Sequence, residues 1–297
     1  MTRDEMKICL TSGQRNESKY AAEWLAWYML QGVDKFVIYN HMSDDNTQAV
    51  YEDLARHYDI DVYYMEGHDC HYPMQQHFLD TYRPNYDWTL CHCDPDEYMW
   101  ALDGTTIREV LWSKWDLPNS AIGVYWSFFG DNGHIEDPDL PTIQAYTRRA
   151  HISQPLNHHM KSIVRGRGRG GNIQATNPHV YTTEFGTVDL EGRTILPHQG
   201  WNRDNPASHD YMRINHYWPR SYEWFKKVKQ PRGYRWDRPP SDVTSNVTEE
   251  FWRSQNFNDT IDTGIWDTWG ERYLAKLDEV RSKMTVVPNL FSRLEVK

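Results

Sequence analysis

No run of apolar residues approaches the length of a membrane span, and the first ten residues, MTRDEMKICL, lack the basic-then-apolar layout of a secretory leader. A cytoplasmic protein with no transmembrane segment is therefore expected. Cysteine is scarce: Cys9, Cys70, Cys91 and Cys93 are the full set. So few thiols suit a reducing compartment and buried positions. Cys91-His92-Cys93 has no second ligand pair at finger spacing, so structural thiols are expected there rather than zinc. Positive charge is also in deficit, with 32 Lys and Arg against 42 Asp and Glu and a formal net charge of -10. A protein held to nucleic acid by its phosphates needs the opposite balance. No internal repeat divides the 297 residues, nor does a linker rich in Pro, Gly or Ser, and a single domain is expected over 1–297.

Aromatic residues, by contrast, are abundant, with 14 Trp and 19 Tyr. Any one of them is most simply a core residue, but such a total favours a flat, partly apolar ligand such as a sugar or a nucleotide base.

The first half alternates short apolar segments with helical patterns. MKICLTS (6–12), DKFVIYN (34–40), DIDVYYMEG (59–67), DWTLCHC (87–93) and AIGVYWSFFG (121–130) read as strands. Between them, Ala21, Trp24, Leu25 and Tyr28 fall at helical spacing, TQAVYEDLARHYD (47–59) and TTIREVLWSKW (105–115) read as helices, and another starts near Pro73. This order predicts an α/β fold with a mostly parallel sheet flanked by helices. From about residue 131 the pattern loosens into Gly, Pro, Asn and His, and helices return in SYEWFKKVKQ, TEEFWRSQN and DTWGERYLAKLDEVRSK.

Ligands of open parallel sheets bind beyond the carboxyl ends of the strands. Three polar clusters fall there: Gln14 to Glu17, Asn40 to Thr47, and Asp94-Pro95-Asp96-Glu97. Three carboxylates at one strand end repel each other unless something positive neutralises them. Asp94 and Asp96, joined by a stiff Pro95, suit a hard divalent ion that takes few protein carboxylates and completes its shell from substrate phosphates. A solvated acidic turn in which Asp94 caps the next helix is the alternative. His216 is a candidate third ligand, with His179 as its rival. Lys161, Arg165, Arg167 and Arg169, in KSIVRGRGRGG, are candidate partners for a diphosphate, although for Arg167 and Arg169 a solvated basic loop is the expected reading.

Together these segments resemble a glycosyltransferase of the GT-A fold, specifically the family 92 and related family 2-like group. The matching stretches are RNESKYAAEWLAWYMLQGVDKFVIYNHMSDDNT (15–47), DWTLCHCDPDEYMW (87–100), YWSFFGDNGH (125–134), HHMKSIVR (158–165) and INHYWPRSYEWFKKVKQPRG (214–233). The resemblance implies a nucleotide-binding half over 1–130 and an acceptor-side and C-terminal helical half over 131–297. It makes Asp94 and Asp96 the D-x-D pair that holds Mn2+ or Mg2+ and the diphosphate of a UDP- or GDP-sugar. His216 becomes a further metal ligand. Arg15, Glu17 and Asp45 would line the nucleotide pocket, Glu97 would serve structure or the donor sugar, and Lys161 takes the lysine position before the basic stretch. Where the family has a small residue after F-G, this chain has Asp131.

The activity so implied is metal-dependent transfer of a sugar to a hydroxyl of a glycan or another acceptor, inverting at the anomeric centre. Inversion needs a carboxylate to take the acceptor's proton, and Asp131 lies nearest the end of the fifth strand. Glu136 to Asp139 read as a solvated turn. A carbohydrate-binding module would use the same aromatics without needing the acidic strand end. A metal-dependent phosphohydrolase would need a tighter His/Asp cluster than this spacing provides.

Overall fold

The structure is a computed structural model and describes residues 1–196, 209–233 and 246–289. The predicted alternation is present: β1 (Ile8–Gln14), α1 (Ala21–Leu30), β2 (Lys35–His41), α2 (Thr47–Leu54), β3 (Ile60–Met65), α3 (His71–Thr81), β4 (Trp88–Cys91), β5 (Glu97–Ala101), α4 (Ile107–Ser113) and β6 (Ala121–Phe128). Four more strands complete a ten-stranded sheet: β7 (Met160–Arg165), β8 (Thr187–Val188), β9 (Thr194–Ile195) and β10 (Met212–His216). Its main path runs β9-β8-β6-β7-β4-β1-β2-β3, with β10 beside β6 and β5 beside β10. Pairings among β1 to β4, β6 with β8, and β6 with β10 are parallel. Every residue of β1, β2 and β6 is buried, as befits strands covered on both faces. This is the mostly parallel, helix-flanked α/β architecture expected from the sequence.

Besides shorter helical turns, the second half carries α5 (Glu249–Ser254) and α6 (Gly264–Lys283). The last helix buries Ile265, Trp269, Tyr273, Leu277 and Val280 along one stripe. That stripe meets α1, where Trp27 contacts Trp269 at 6.0 Å and Tyr273 at 5.8 Å between ring centroids. First and last helices therefore share one core. Among the described residues, no helix is long and apolar enough to cross a membrane.

Two strands that position the site lie in the stretch that reads as irregular. β7 inserts antiparallel between β4 and β6, with Cys91 opposite Ser162 and Trp88 opposite Arg165. It therefore enters at the carboxyl edge of the parallel strands with Lys161 and leaves at the opposite edge with Arg165, roughly 13 Å away at strand rise. β10 runs parallel to β6 and antiparallel to β5, which sets His216 opposite both Phe128 and Glu97.

Candidate functional site

β4 stops at Cys91 because His92 takes a left-handed backbone, with φ 59°. Cys93 stays tied to the sheet through its N–H to the Thr11 carbonyl at 3.0 Å. The next four residues form a turn closed twice: the Glu97 N–H donates to the Asp94 carbonyl at 3.0 Å, and the Asp94 N–H donates to Glu97 Oε2 at 2.9 Å. Pro95 at the second position fixes φ for such a turn. α1 supports it from below, with Trp24 Nε1 donating to the Asp94 carbonyl at 3.0 Å.

The acidic turn is neutralised by side chains from distant segments. Lys161 Nζ donates to Asp94 Oδ2 at 2.7 Å and lies 3.5 Å from Glu97 Oε1. His92 Nε2 stands 3.0 Å from Asp94 Oδ1. Burial would raise the Asp94 carboxyl, but Lys161 and His92 outweigh it and hold Asp94 well below the usual carboxylate range. Glu97 goes the other way: burial, with the neighbouring aspartates, pushes it well above that range despite Lys161. Within one turn, Asp94 and Glu97 are thus shifted in opposite directions.

Asp96 has its own partners. Lys229 Nζ donates to Oδ2 at 2.9 Å, and His216 Nε2 stands 3.5 Å from Oδ1. Burial again opposes ionisation, and Lys229, His216 and Arg220 overcome it, so Asp96 lies well below the carboxylate range. Burial lowers His216, keeping the imidazole neutral, and takes Lys229 down to about 8. Lys229 ends a π-helical turn, Phe225–Lys229, within a helical stretch whose start Ser221 caps by accepting from the Trp224 N–H.

Asp96 and His216 fit a Mn2+- or Mg2+-like ion as a pair. An ionised carboxylate and a neutral imidazole are ligands as they stand, and ligand atoms held at about 2.1 Å from one ion at right angles lie roughly 3 Å apart. Asp94 is not drawn into that pair, since both its oxygens face Lys161 and His92. Among the described residues, no group of three or more His, Cys, Asp or Glu side chains has metal-holding geometry. His179, the rival ligand, instead sets Nδ1 3.1 Å from the Met160 carbonyl and meets Trp126 edge-on at 5.2 Å.

The remaining sequence candidates separate. Glu17 is buried with both oxygens engaged, Oε2 by Arg220 Nη1 at 2.8 Å and Oε1 by Arg232 Nη1 at 2.9 Å. It organises the loop after β1 by bridging these two guanidinium groups. Asp45 likewise accepts from the Ser18 N–H at 3.0 Å and the Thr47 N–H at 2.9 Å, bracing the start of α2. Arg15 lies half-buried beside them, its carbonyl accepting from Arg232 at 2.7 Å. Arg165 is a correction: the antiparallel course of β7 carries it to the far edge, where it stacks on Trp88 at 4.4 Å and donates to the Asn119 and Lys114 carbonyls. Asp131 is buried in a turn, Oδ1 accepting from the Gly133 N–H at 2.7 Å and Asn258 Nδ2 at 3.0 Å.

Several residues escaped the sequence reading. Arg220 joins Glu17 to the acidic turn by donating to the Pro95 carbonyl at 3.0 Å, and it stacks on Tyr20 at 3.6 Å. Asp137 does not belong to a solvated turn: it accepts from Lys19, from Tyr20 Oη at 2.7 Å and from Ser221 Oγ at 2.9 Å. The usable signal was charge balance, because acid buried at a strand end requires cations, and INHYWPRSYEWFKKVKQPRG is rich in them.

No model of a known protein family matches the chain. Among curated proteins, it is 24% identical over 279 residues to a glycosyltransferase family 92 protein of Oryza sativa subsp. japonica, covering 88% of this chain and 43% of the relative. It is 22% identical over 298 residues to a family 92 protein of Ricinus communis, covering 92% of this chain and 49% of that one. The chain therefore spans less than half the length of these curated relatives. Among solved structures, residues 1–349 of S. aureus TarS align with a TM-score of 0.35 and 18% identity, over 54% of this chain and 47% of that one. TarS has also been solved in complex with UDP, where the TM-score is 0.35 and the identity 16%. Over most of its length, the chain is similar to glycosyltransferase family 92 proteins.

Proposed function

We propose that this chain is a metal-dependent glycosyltransferase that moves a sugar from a UDP- or GDP-sugar to a hydroxyl of a glycan or another acceptor, with inversion. The observation that carries the reading is the acidic turn after β4, where two ionised aspartates, a neutral histidine and two buried lysines converge beyond the carboxyl edge of a parallel sheet. The names of the curated relatives support the same reaction class.

Asp96 and His216 would hold Mn2+ or Mg2+, which neutralises charge developing on a departing diphosphate. Lys161 fixes Asp94 and holds the turn in one conformation, so its dipoles and charges need no rearrangement when the leaving group departs. Glu97 keeps the turn closed by accepting from the Asp94 N–H. Asp131 is assigned the acceptor's proton. Among the described residues both hydrogen bonds it receives fall on Oδ1, which orients the carboxylate.

The test is calorimetric titration with UDP and GDP, each with and without Mn2+, followed by release of nucleoside diphosphate from a panel of nucleotide sugars. Metal-dependent nucleotide binding that Asp96→Asn abolishes supports the reading. Tight glycan binding in EDTA with no donor turnover would replace it with a carbohydrate-binding module.

A further inference from the structure

The two buried lysines at the acidic turn are held differently. Lys161 is the second residue of β7, paired with Val124 of β6 one position beyond the last β4 partner, Ser162, and its ammonium lies between two carboxylates, Asp94 at 2.7 Å and Glu97 at 3.5 Å. Among the described residues, Lys229 has one carboxylate partner, Asp96 at 2.9 Å, and it lies 4.6 Å over the ring of Trp218. It ends the π-helical turn Phe225–Lys229, a local departure from α geometry of the kind often found at functional sites. A lysine stem has four rotatable carbons, so its ammonium can leave one oxygen for another nearby without moving the backbone.

Asp96 faces Lys229 with one oxygen and the neutral His216 with the other. The same carboxylate therefore serves a protein cation on one side and the candidate metal pair on the other. An ion taken up by Asp96 and His216 would set its charge against the neighbouring ammonium and supply the neutralisation that Lys229 provides in its absence.

We propose that Lys229 is a built-in counter-ion for Asp96 which a divalent cation displaces, and that the released ammonium then binds the diphosphate of the donor. The inference rests on the nucleotide-sugar reading above. Lys229 is thus a positioning residue with opposite effects on two ligands: it weakens metal binding in the free protein and strengthens nucleotide binding in the loaded one.

The experiment uses the full chain, with Mn2+ alone and then UDP in saturating Mn2+ as probes, both followed by calorimetry. In Lys229→Met, Mn2+ alone should bind more tightly than in the wild type, while UDP should bind about tenfold more weakly, the loss expected for one charge-assisted hydrogen bond. Lys229→Arg, which keeps the charge, should stay near the wild type for Mn2+. A lysine with a purely structural role would lower both affinities together, and unchanged or weaker Mn2+ binding in Lys229→Met overturns the proposal. A wild-type measurement covers the case in which the variant does not fold. Acylation of Lys229, followed by mass spectrometry, should speed up with Mn2+ and slow again when UDP joins it, and reactivity indifferent to Mn2+ overturns the proposal equally. Wild-type protein that binds neither Mn2+ nor UDP would instead defeat the nucleotide-sugar reading itself.

Discussion

Lys161 Nζ sits 2.7 Å from Asp94 and 3.5 Å from Glu97, and β7 carries it there, paired with Val124 of β6. Beside this one buried lysine, Asp94 is held well below the usual carboxylate range, while burial and the neighbouring aspartates push Glu97 well above it. Structure and site therefore meet in one side chain.

Replacing Lys161 should cost more than losing one hydrogen bond. Lys161→Met leaves Asp94 charged in a largely enclosed turn, and breaking a buried pair from one side destabilises by about 3 kcal/mol or more. Urea titration should show that loss, while Glu97→Gln, whose amide oxygen can still accept from the Asp94 N–H, should remain within about 1 kcal/mol of the wild type. A larger loss for Glu97→Gln than for Lys161→Met would invert the assignment of charges.

Glu17 carries an analogous expectation for the loop after β1. Glu17→Ala strands Arg220 and Arg232, whose guanidinium groups it bridges, so stability should fall by about 3 kcal/mol. Glu17→Gln should recover part of that loss. If Glu17 met the nucleotide instead, the Gln variant would leave the melting temperature unchanged and weaken only UDP binding, and comparing the two measurements separates the roles.

Much of this arrangement was legible in the sequence, for identifiable reasons. β1, β2 and β6 are buried on both faces, so their residues read as apolar runs whatever they pair with. The Asp94–Glu97 turn was legible because Pro and three acids leave few other conformations. β7 was not, because MKSIVR sets Lys161, Ser162 and Arg165 at buried positions and its antiparallel insertion is decided by neighbours rather than by its own pattern. That one misreading placed Arg165 beside Lys161 when the strand sends them to opposite edges. Arg220 and Lys229 were hidden for another reason: their partners lie more than a hundred residues away, and helical spacing alone makes KKVK look like a solvated face. Asp137 read as exposed because its burial depends on Tyr20, Tyr146 and Ser221, which come from three separate segments.

Mild acid should destabilise the protein through its histidines. Burial lowers His159 and His209 from 6.5 to about 4, so both are neutral in the folded chain at pH 5. In the unfolded chain they take up protons near pH 6.5. The unfolded state then binds more protons, and stability falls as pH drops from about 7 toward 4, by up to roughly 1.4 kcal/mol per pH unit for each group. Asp94 and Asp96 have folded values well below 3.8 and keep their contribution across that window, while the raised carboxyls of Glu97 and Glu23 oppose the histidines there, because they bind protons more readily folded than unfolded. The histidine contribution is therefore read by comparison: between pH 7.5 and 5, His209→Gln should gain melting temperature relative to the wild type. A difference between the two proteins that does not change with pH would contradict the neutral imidazole of His209.

Asp131 offers the sharpest separation of chemistry from structure. Its Oδ1 accepts from the Gly133 N–H and from Asn258, and an asparagine carbonyl in the same place accepts both bonds. Asp131→Asn should therefore fold and bind UDP with Mn2+ like the wild type. An amide, however, cannot take a proton from an acceptor hydroxyl, so the transfer rate should fall by roughly a hundredfold or more, the scale of general base catalysis. Because the base acts on the acceptor, hydrolysis of the donor by water should be less affected than transfer to a saturating sugar alcohol. Equal transfer rates in the two proteins would reduce Asp131 to a turn residue and move the search for the base to another group at that edge.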